Sequence, residues 1–116
     1  MMRQKSGAII NISSLGGLQA WQGYIHYCSS KAGVIMLTRC LAKALAPHVR
    51  VNSVAPGAIL FPGKERTAMI ENVIRATPLG KAGRAQDIAD IVLFLATHAE
   101  FIIGQVFAVD GGKSIP

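Results

Sequence analysis

The 116-residue chain predicts an α/β fold built on a parallel sheet, and three observations carry that prediction. Two short runs, Ala8 to Ile12 and Val49 to Ala55, read as strands, the first being β-branched and apolar on both faces but for Asn11. A long segment between them repeats its apolar residues at the helical period. Two successive strands joined by a helix form a crossover unit, which brings their carboxyl ends to the same edge of a sheet.

Each element follows from local sequence. Ala8 to Ile12 reads as a buried parallel strand, interrupted only by Asn11, and Ser14 then stands at its carboxyl end, where ligands bind in open α/β sheets. Leu15 to Gly23 contains Gly16-Gly17 and reads as a loop. Trp21 within it either lines a substrate pocket or packs the loop onto the body. Ile25 to Ala46 is one long helix, ended because the residue before Pro47 resists helical geometry. Its residues Val34, Leu37, Leu41 and Leu45 are expected to face the sheet, with Gly33, Met36 and Cys40 on another side.

Val49 to Ala55 is the next strand, broken by Pro56-Gly57. From Phe61 to Gly83 runs a long excursion with a helix near Thr67 to Arg75, suited either to cover a substrate or to cap the core as a surface hairpin. Gln86 to Leu95 is a helix with Ile88, Ile91, Val92 and Leu95 on one face and Asp87 suited to its amino-terminal dipole. Gln105 to Val109 is the last strand. Asp110-Gly111-Gly112 turns out of it and reads as a tight turn instead of a phosphate cradle, because no helix follows.

Composition narrows the functional classes. The hydrophobic content of 51% suffices for the core of one domain. The apolar runs are too short to span a bilayer, and Met1 to Gly7 has no apolar signal segment, so a cytoplasmic location and no membrane partner are expected. The net charge of +6 is dispersed from Arg3 to Lys113 without a run, which argues for a solvated surface and against nucleic acid. Cys28 and Cys40 lie twelve residues apart on one helix, about 18 Å along its axis, too far for a mutual disulfide. They show no metal-ligand spacing with His26, His48 or His98, and no metal is expected.

The chemistry-bearing pair is Tyr27 and Lys31, one helical turn apart, with Ser13-Ser14 upstream. A phenol exchanges protons near neutrality only when its phenolate is favoured. An ammonium at about 5 Å and an effective dielectric near 20 contributes about 3 kcal/mol toward that state. A nearby serine hydroxyl can hold a carbonyl or imine acceptor while a hydride arrives. The spacing alone is weak evidence, since a half-buried tyrosine beside a solvated lysine has the same sequence.

The surrounding text is specific. Gly7-Ala8-Ile9-Ile10-Asn11-Ile12-Ser13-Ser14, Tyr27-x-x-x-Lys31, Val49-Arg50-Val51-Asn52-Ser53-Val54-Ala55-Pro56-Gly57 and Val109-Asp110-Gly111-Gly112 follow one another in order. This succession resembles the C-terminal half of short-chain dehydrogenases/reductases over nearly the whole chain. The resemblance implies the C-terminal portion of a Rossmann-like doubly wound parallel sheet, its N-terminal half absent. The segments would be a catalytic one at 8–46, a Pro-Gly turn and substrate lid at 56–83, and a terminal helix and strand at 85–112.

The resemblance also implies an oxidoreductase that reduces a C=O or C=N bond with NADP(H) in preference to NAD(H). Tyr27 would be the acid/base, Lys31 the cation favouring its phenolate and a ribose ligand, and Ser14 the substrate-orienting hydroxyl, preferred to Ser13 because it stands thirteen positions before Tyr27. Tyr27, Lys31, Pro56, Gly57 and Ile59 would bind cofactor, with the Ile59 backbone on the nicotinamide carboxamide; Ser14, Trp21 and Tyr27 would bind substrate. Phe61 stands where the family often has a threonine, so a hydroxyl contact on the phosphate side is missing. The long helix commonly packs on its copy in this family, implying a dimer or tetramer of the complete chain.

Within the family, the stretches Pro56 to Pro62 and Thr77 to Gly83 resemble bacterial pteridine reductases, which reduce dihydropteridine or dihydrofolate-like rings. A 3-oxoacyl or generic carbonyl reductase is the alternative. No G-x-x-x-G-x-G or G-x-G-x-x-G turn occurs in the chain, so the adenosine side of a dinucleotide site is not encoded in these residues. Three readings stay open: a reductase whose first half lies outside this sequence, a non-catalytic fragment, or a module that pairs through its open sheet edge with another reductase chain.

Overall fold

The computed structural model describes residues 1–116. Its elements are β1 (Ala8–Ile12), α1 (Ile25–Leu45), β2 (Arg50–Pro56), α2 (Ala68–Arg75), α3 (Ala85–Thr97) and β3 (Val106–Val109), with one 3-10 turn at Leu15–Gly17 inside the first loop. The three strands form one parallel sheet in the order β1-β2-β3. Ile9 stands opposite Val51, and Ser53 is paired with Asn11 on one side and Val106 on the other. The expected boundaries hold to within two residues.

Strand alternation divides the core between the two sheet faces. Ile9, Val49 and Val51 pack with Leu41, Ala42 and Leu45 of α1. On the other face Ile10, Val54, Phe107 and Val109 pack with Ile88, Ile91, Val92 and Leu95 of α3. The sheet is thus covered by α1 on one side and α3 on the other. Residues Val51 to Ala55 of β2 are all buried, because this strand alone is paired along both edges.

Two expectations need correction. β1 is half-buried where a fully buried strand was expected, and Ile12 is 46% exposed. The strand pairs only with β2, so its other edge and part of one face carry no neighbour. Leu37 is 52% exposed and does not face the sheet. The buried line of α1 runs through Ile35, Thr38 and Ala42, about a third of a turn from Leu37, and leaves Leu37 on the outer face with Gly33, Met36 and Cys40. Cys28 and Cys40 are both free thiols.

The buried polar residues are all satisfied. The Asn11 side chain, the one polar interruption of β1, donates to Thr38 Oγ1 at 3.0 Å, while Thr38 donates to the Val34 carbonyl. Asn52 donates to the Ile102 carbonyl and accepts from the Gln105 N–H, tying the last loop to the sheet. At the start of α3, Asp87 accepts the Arg84 N–H at 2.7 Å and meets its guanidinium at 2.9 Å. These contacts with Arg84 hold the Asp87 carboxyl below its ordinary range.

Arg50 caps the other end of α3. Its guanidinium donates to the carbonyls of Leu95 and Ala96, which the helix end leaves without intrahelical partners, at 2.7 and 3.2 Å, and to that of Ala99 just beyond the helix at 2.9 Å. Arg50→Ala is expected to lower unfolding stability by about 1.5–3 kcal/mol, the usual range for hydrogen bonds to a charged donor. Urea denaturation at neutral pH measures it, and a loss below 0.5 kcal/mol (about the ordinary scatter for a surface substitution) would refute the cap.

Candidate active site

The carboxyl ends of β1 and β2 open onto one cleft of about 510 Å³. Ser13, Ser14, Trp21, Tyr27, Lys31, Pro56, Gly57 and Ile59 all border it, so every residue singled out from sequence reaches one place. Phe61, standing where a hydroxyl was missing, also lines this cleft and is 54% exposed.

The two serines have different environments. Ser13 donates its hydroxyl to the Val54 carbonyl at 3.2 Å and accepts from Ser53 at 2.8 Å, which commits it to joining β1 and β2. Ser14 caps the 3-10 turn by accepting the Gly16 N–H at 3.1 Å. Its own proton has no partner in the chain and is available to a bound oxygen or nitrogen. Of the two hydroxyl protons, that of Ser13 is engaged and that of Ser14 is not.

Lys31 reaches back from α1 and donates to the Ile12 carbonyl at 3.3 Å, with Nζ 6.0 Å from the centre of the Tyr27 ring. The ammonium is thus tethered at the end of β1, beside the phenol. The 3-10 turn approaches this part of α1 through Gly17, where a Cβ would stand 2.7 Å from the Lys31 carbonyl carbon and 2.9 Å from Ile35 Cδ1. Tyr27 lies one turn earlier, stacked on Trp21 with ring centres 5.9 Å apart and planes at 11°.

The Pro56-Gly57 end of β2 is held by the Asp110 turn. Gly57 donates to the Val109 carbonyl at 3.0 Å, and a Cβ on Gly57 would meet the Asp110 Cβ at 2.8 Å. Asp110 accepts the N–H groups of Gly112 and Ser114 at 2.9 and 2.8 Å, so the segment is a tight turn, as expected. Burial pushes the Asp110 carboxyl up, but the hydrogen bonds from Ser114 and Gly112 outweigh it and leave the group below its ordinary value.

Ile59 bears on whether a nicotinamide would fit. It forms a single parallel bridge to Gly83, made by the Leu60 N–H to the Gly83 carbonyl and the Gly83 N–H to the Ala58 carbonyl, both at 2.9 Å. In this pattern the N–H and C=O of Ile59 itself point away from Gly83, and neither is bonded to another backbone group. One free donor and one free acceptor at the cleft edge match a carboxamide.

A second cavity of about 500 Å³ lies on the far side of the Trp21–Tyr27 pair. Leu15, Tyr24, Met69, Ile70 and Val73 give it an apolar wall, with Gln19 and Lys113 as its polar members. The excursion after β2 thus lays the apolar face of α2 against the chamber. Tyr24 and the three α2 residues were not identified from sequence; the spacing Met69, Ile70, Val73 is the signal that could have found them.

Comparisons with known proteins agree in direction. A family model described as Enoyl-(Acyl carrier protein) reductase matches residues 1–114. The 3-oxoacyl-[acyl-carrier-protein] reductase FabG of Thermotoga maritima is 40% identical over 119 residues, covering 99% of this chain and 48% of that protein. The structure of a 3-oxoacyl-[acyl-carrier protein] reductase with bound NAD from Brucella melitensis superimposes with a TM-score of 0.87 at 33% identity, over 97% of this chain and 42% of that one. That of ElxO with NADP bound gives 0.85 at 33% identity, over 97% and 48%. The chain spans about half the length of the curated relatives it matches. These relatives favour the 3-oxoacyl alternative over the pteridine ring.

Two substitutions test the scaffold. Gly17→Ala is expected to cost about 1–3 kcal/mol, the usual range for overpacking, because backbone atoms of Lys31 occupy the space. Unfolding midpoints measure it, and an unchanged midpoint would contradict the close approach. Since the folded Asp110 carboxyl is held below its ordinary value, its contribution is complete above about pH 4 and is lost as pH falls through the folded pKa. The stability gap between the native chain and Asp110→Asn should therefore narrow below about pH 4; a gap that stays constant there would show that the turn's hydrogen bonds do not favour the carboxylate.

Proposed function

Since the chain belongs to the short-chain dehydrogenase/reductase family, we propose that it is the proton-handling half of an NADPH-dependent reductase acting on the ketone of a 3-oxoacyl thioester. The observation that carries the reading is the convergence of Ser14, Tyr27, Lys31 and the free backbone groups of Ile59 on one cleft, with an apolar chamber beside it. An apolar chamber suits an acyl chain, and the 3-oxoacyl relative supports that substrate over a dihydropteridine.

When bound, the dinucleotide supplies the hydride that the ketone carbon takes up. The chain's own residues do the rest. The Ser14 hydroxyl donates to the ketone oxygen and orients it. Tyr27 gives its proton to that oxygen as negative charge develops there, and the nearby Lys31 ammonium favours the phenolate left behind. Ile59 would hold the nicotinamide carboxamide through its free backbone groups, Pro56 and Gly57 would line the same site, and Lys31 would also serve a ribose hydroxyl. None of the residues named here selects between NADP(H) and NAD(H). The proposal for NADPH therefore follows the substrate reading.

The complete protein is proposed to act in the cytoplasm as a dimer or tetramer on a small-molecule substrate. The outer face of α1 would meet a second copy there.

The test is NADPH oxidation by the product of the complete gene, with any reading frame that continues upstream of Met1 included. Acetoacetyl thioester should be reduced in preference to dihydrobiopterin, and the opposite preference would restore the pteridine reading. Tyr27→Phe should lower kcat by about 100-fold or more, the usual worth of a general acid, with NADPH affinity nearly unchanged. Activity retained in that variant would remove Tyr27 from the mechanism.

A further inference from the structure

Trp21 and Tyr27 are the two aromatic residues that border both cavities. Their rings lie nearly parallel, with centres 5.9 Å apart, and Tyr24 meets the indole edge-on at 6.1 Å and 85°. Gly16 lies against the stack: a Cβ there would stand 3.0 Å from Tyr27 Cε1 and 3.2 Å from the six-membered ring of Trp21. The 3-10 turn, the loop and the first turn of α1 thus each supply one layer of a single aromatic cluster.

A phenol depends on such support for its direction. The O–H bond of a tyrosine prefers the plane of its ring, and the torsion that turns this plane is broad and soft, so a free ring spreads the proton over many directions. A flat neighbour against one face selects one plane and also stops the ring swinging toward the loop. Misplacement of a reacting group on the ångström scale is enough to cost about 100-fold in rate.

We infer that Trp21 is the positioning residue for Tyr27: its indole fixes the plane of the phenol and, with it, divides the cleft that would hold the reacting carbonyl from the apolar chamber under α2. The inference rests on Tyr27 being the proton donor. Trp21 itself transfers nothing. Its edge is where an acyl chain in the chamber would turn toward Ser14, so the same ring also limits what can follow the ketone.

The chain has one tryptophan and two tyrosines, which makes the test direct. Tyr27 ring signals in NMR spectra of the 116-residue protein are assigned by difference from Tyr24→Phe and Tyr27→Phe. They should be shifted upfield by the indole and report slow ring rotation. Trp21→Leu should abolish both properties and Trp21→Phe keep most of each; Tyr27 signals unchanged by Trp21→Leu would overturn the inference. Should Trp21→Leu not fold, Gly16→Ala displaces the same stack and must move the same signals. In turnover assays of the complete gene product, Trp21→Leu should lower kcat by about 10- to 100-fold with KM for NADPH unchanged, Trp21→Phe should recover most of it, and Tyr27→Phe should mask the effect. A rise in thioester KM with kcat intact would make Trp21 a pocket wall and nothing more. If no thioester is reduced at all, the proposed function fails, while the ring signals still decide the role of Trp21.

Discussion

Ser53, in the middle of β2, reaches both the Asn11 carbonyl at 3.0 Å and Ser13 Oγ at 2.8 Å, and Ser13 in turn donates to the Val54 carbonyl. This buried hydroxyl chain crosses from β2 to β1 just below the cleft, at the level where backbone pairing ends. A parallel pair has evenly spaced bonds that set no unique stopping point, so side chains must fix where the strands part. Here they part after Ser13, and Ser14 begins the 3-10 turn. Tyr27, Lys31 and Trp21 are placed relative to that point, because the turn lies against α1 through Gly16 and Gly17.

The other wall of the cleft depends on β2 at its far end. Pro56 and Gly57 leave the sheet against the Asp110 turn, whose carboxylate is occupied by two backbone N–H groups. That turn cannot also take a phosphate. Its role is to fill the floor and fix where Ala58 to Leu60 run, and the bridge to Gly83 then aims the free backbone groups of Ile59. Polar residues in β2 would weaken an ordinary buried strand. Asn52 and Ser53 instead complete their hydrogen bonds within the fold, and the strand serves as the common reference for both walls.

Much of this was legible in the sequence because it is local. A helix places Tyr27 and Lys31 on one face whatever surrounds it, and a strand end places Ser14 wherever the apolar run stops. The chemistry of Ser13 and Ser14 could not be told apart by residue type; their separation comes from Ser53 and Val54, about forty positions away. Tyr24 has Cys28 and no cation at its fourth neighbour, so nothing in the sequence singles it out, yet it lines the apolar chamber, since lining a cavity asks only for shape. Leu37 fits a loose apolar period, and only the true line through Ile35, Thr38 and Ala42 shows that it faces outward. The half-exposed β1 was missed for another reason: an apolar run encodes how many faces a strand can bury, and the neighbours that bury them are named elsewhere.

The open edge of β1 raises the question whether the cleft at Ser14, Tyr27 and Lys31 is formed without a strand paired there. The contacts that shape it argue that it is. Ser14 is held by Gly16, Lys31 by the Ile12 carbonyl, Tyr27 by Trp21, and the close approach by Gly17, so every one of these partners lies between residues 12 and 31. Only the Ile12 carbonyl faces the free edge of the sheet, because the pairing with β2 uses the backbone groups of Gly7, Ile9, Asn11 and Ser13. A strand added beside β1 would cover an exposed face and compete with Lys31 for the Ile12 carbonyl, but it would have little to rearrange at the phenol ring. Preorganisation of that kind is what transition-state stabilisation requires, because donors already in place cost nothing to reorient when charge develops on the substrate oxygen. The contacts that place the phenol and the Ser14 hydroxyl thus lie within residues 14 to 27, apart from the sheet edge that stays open.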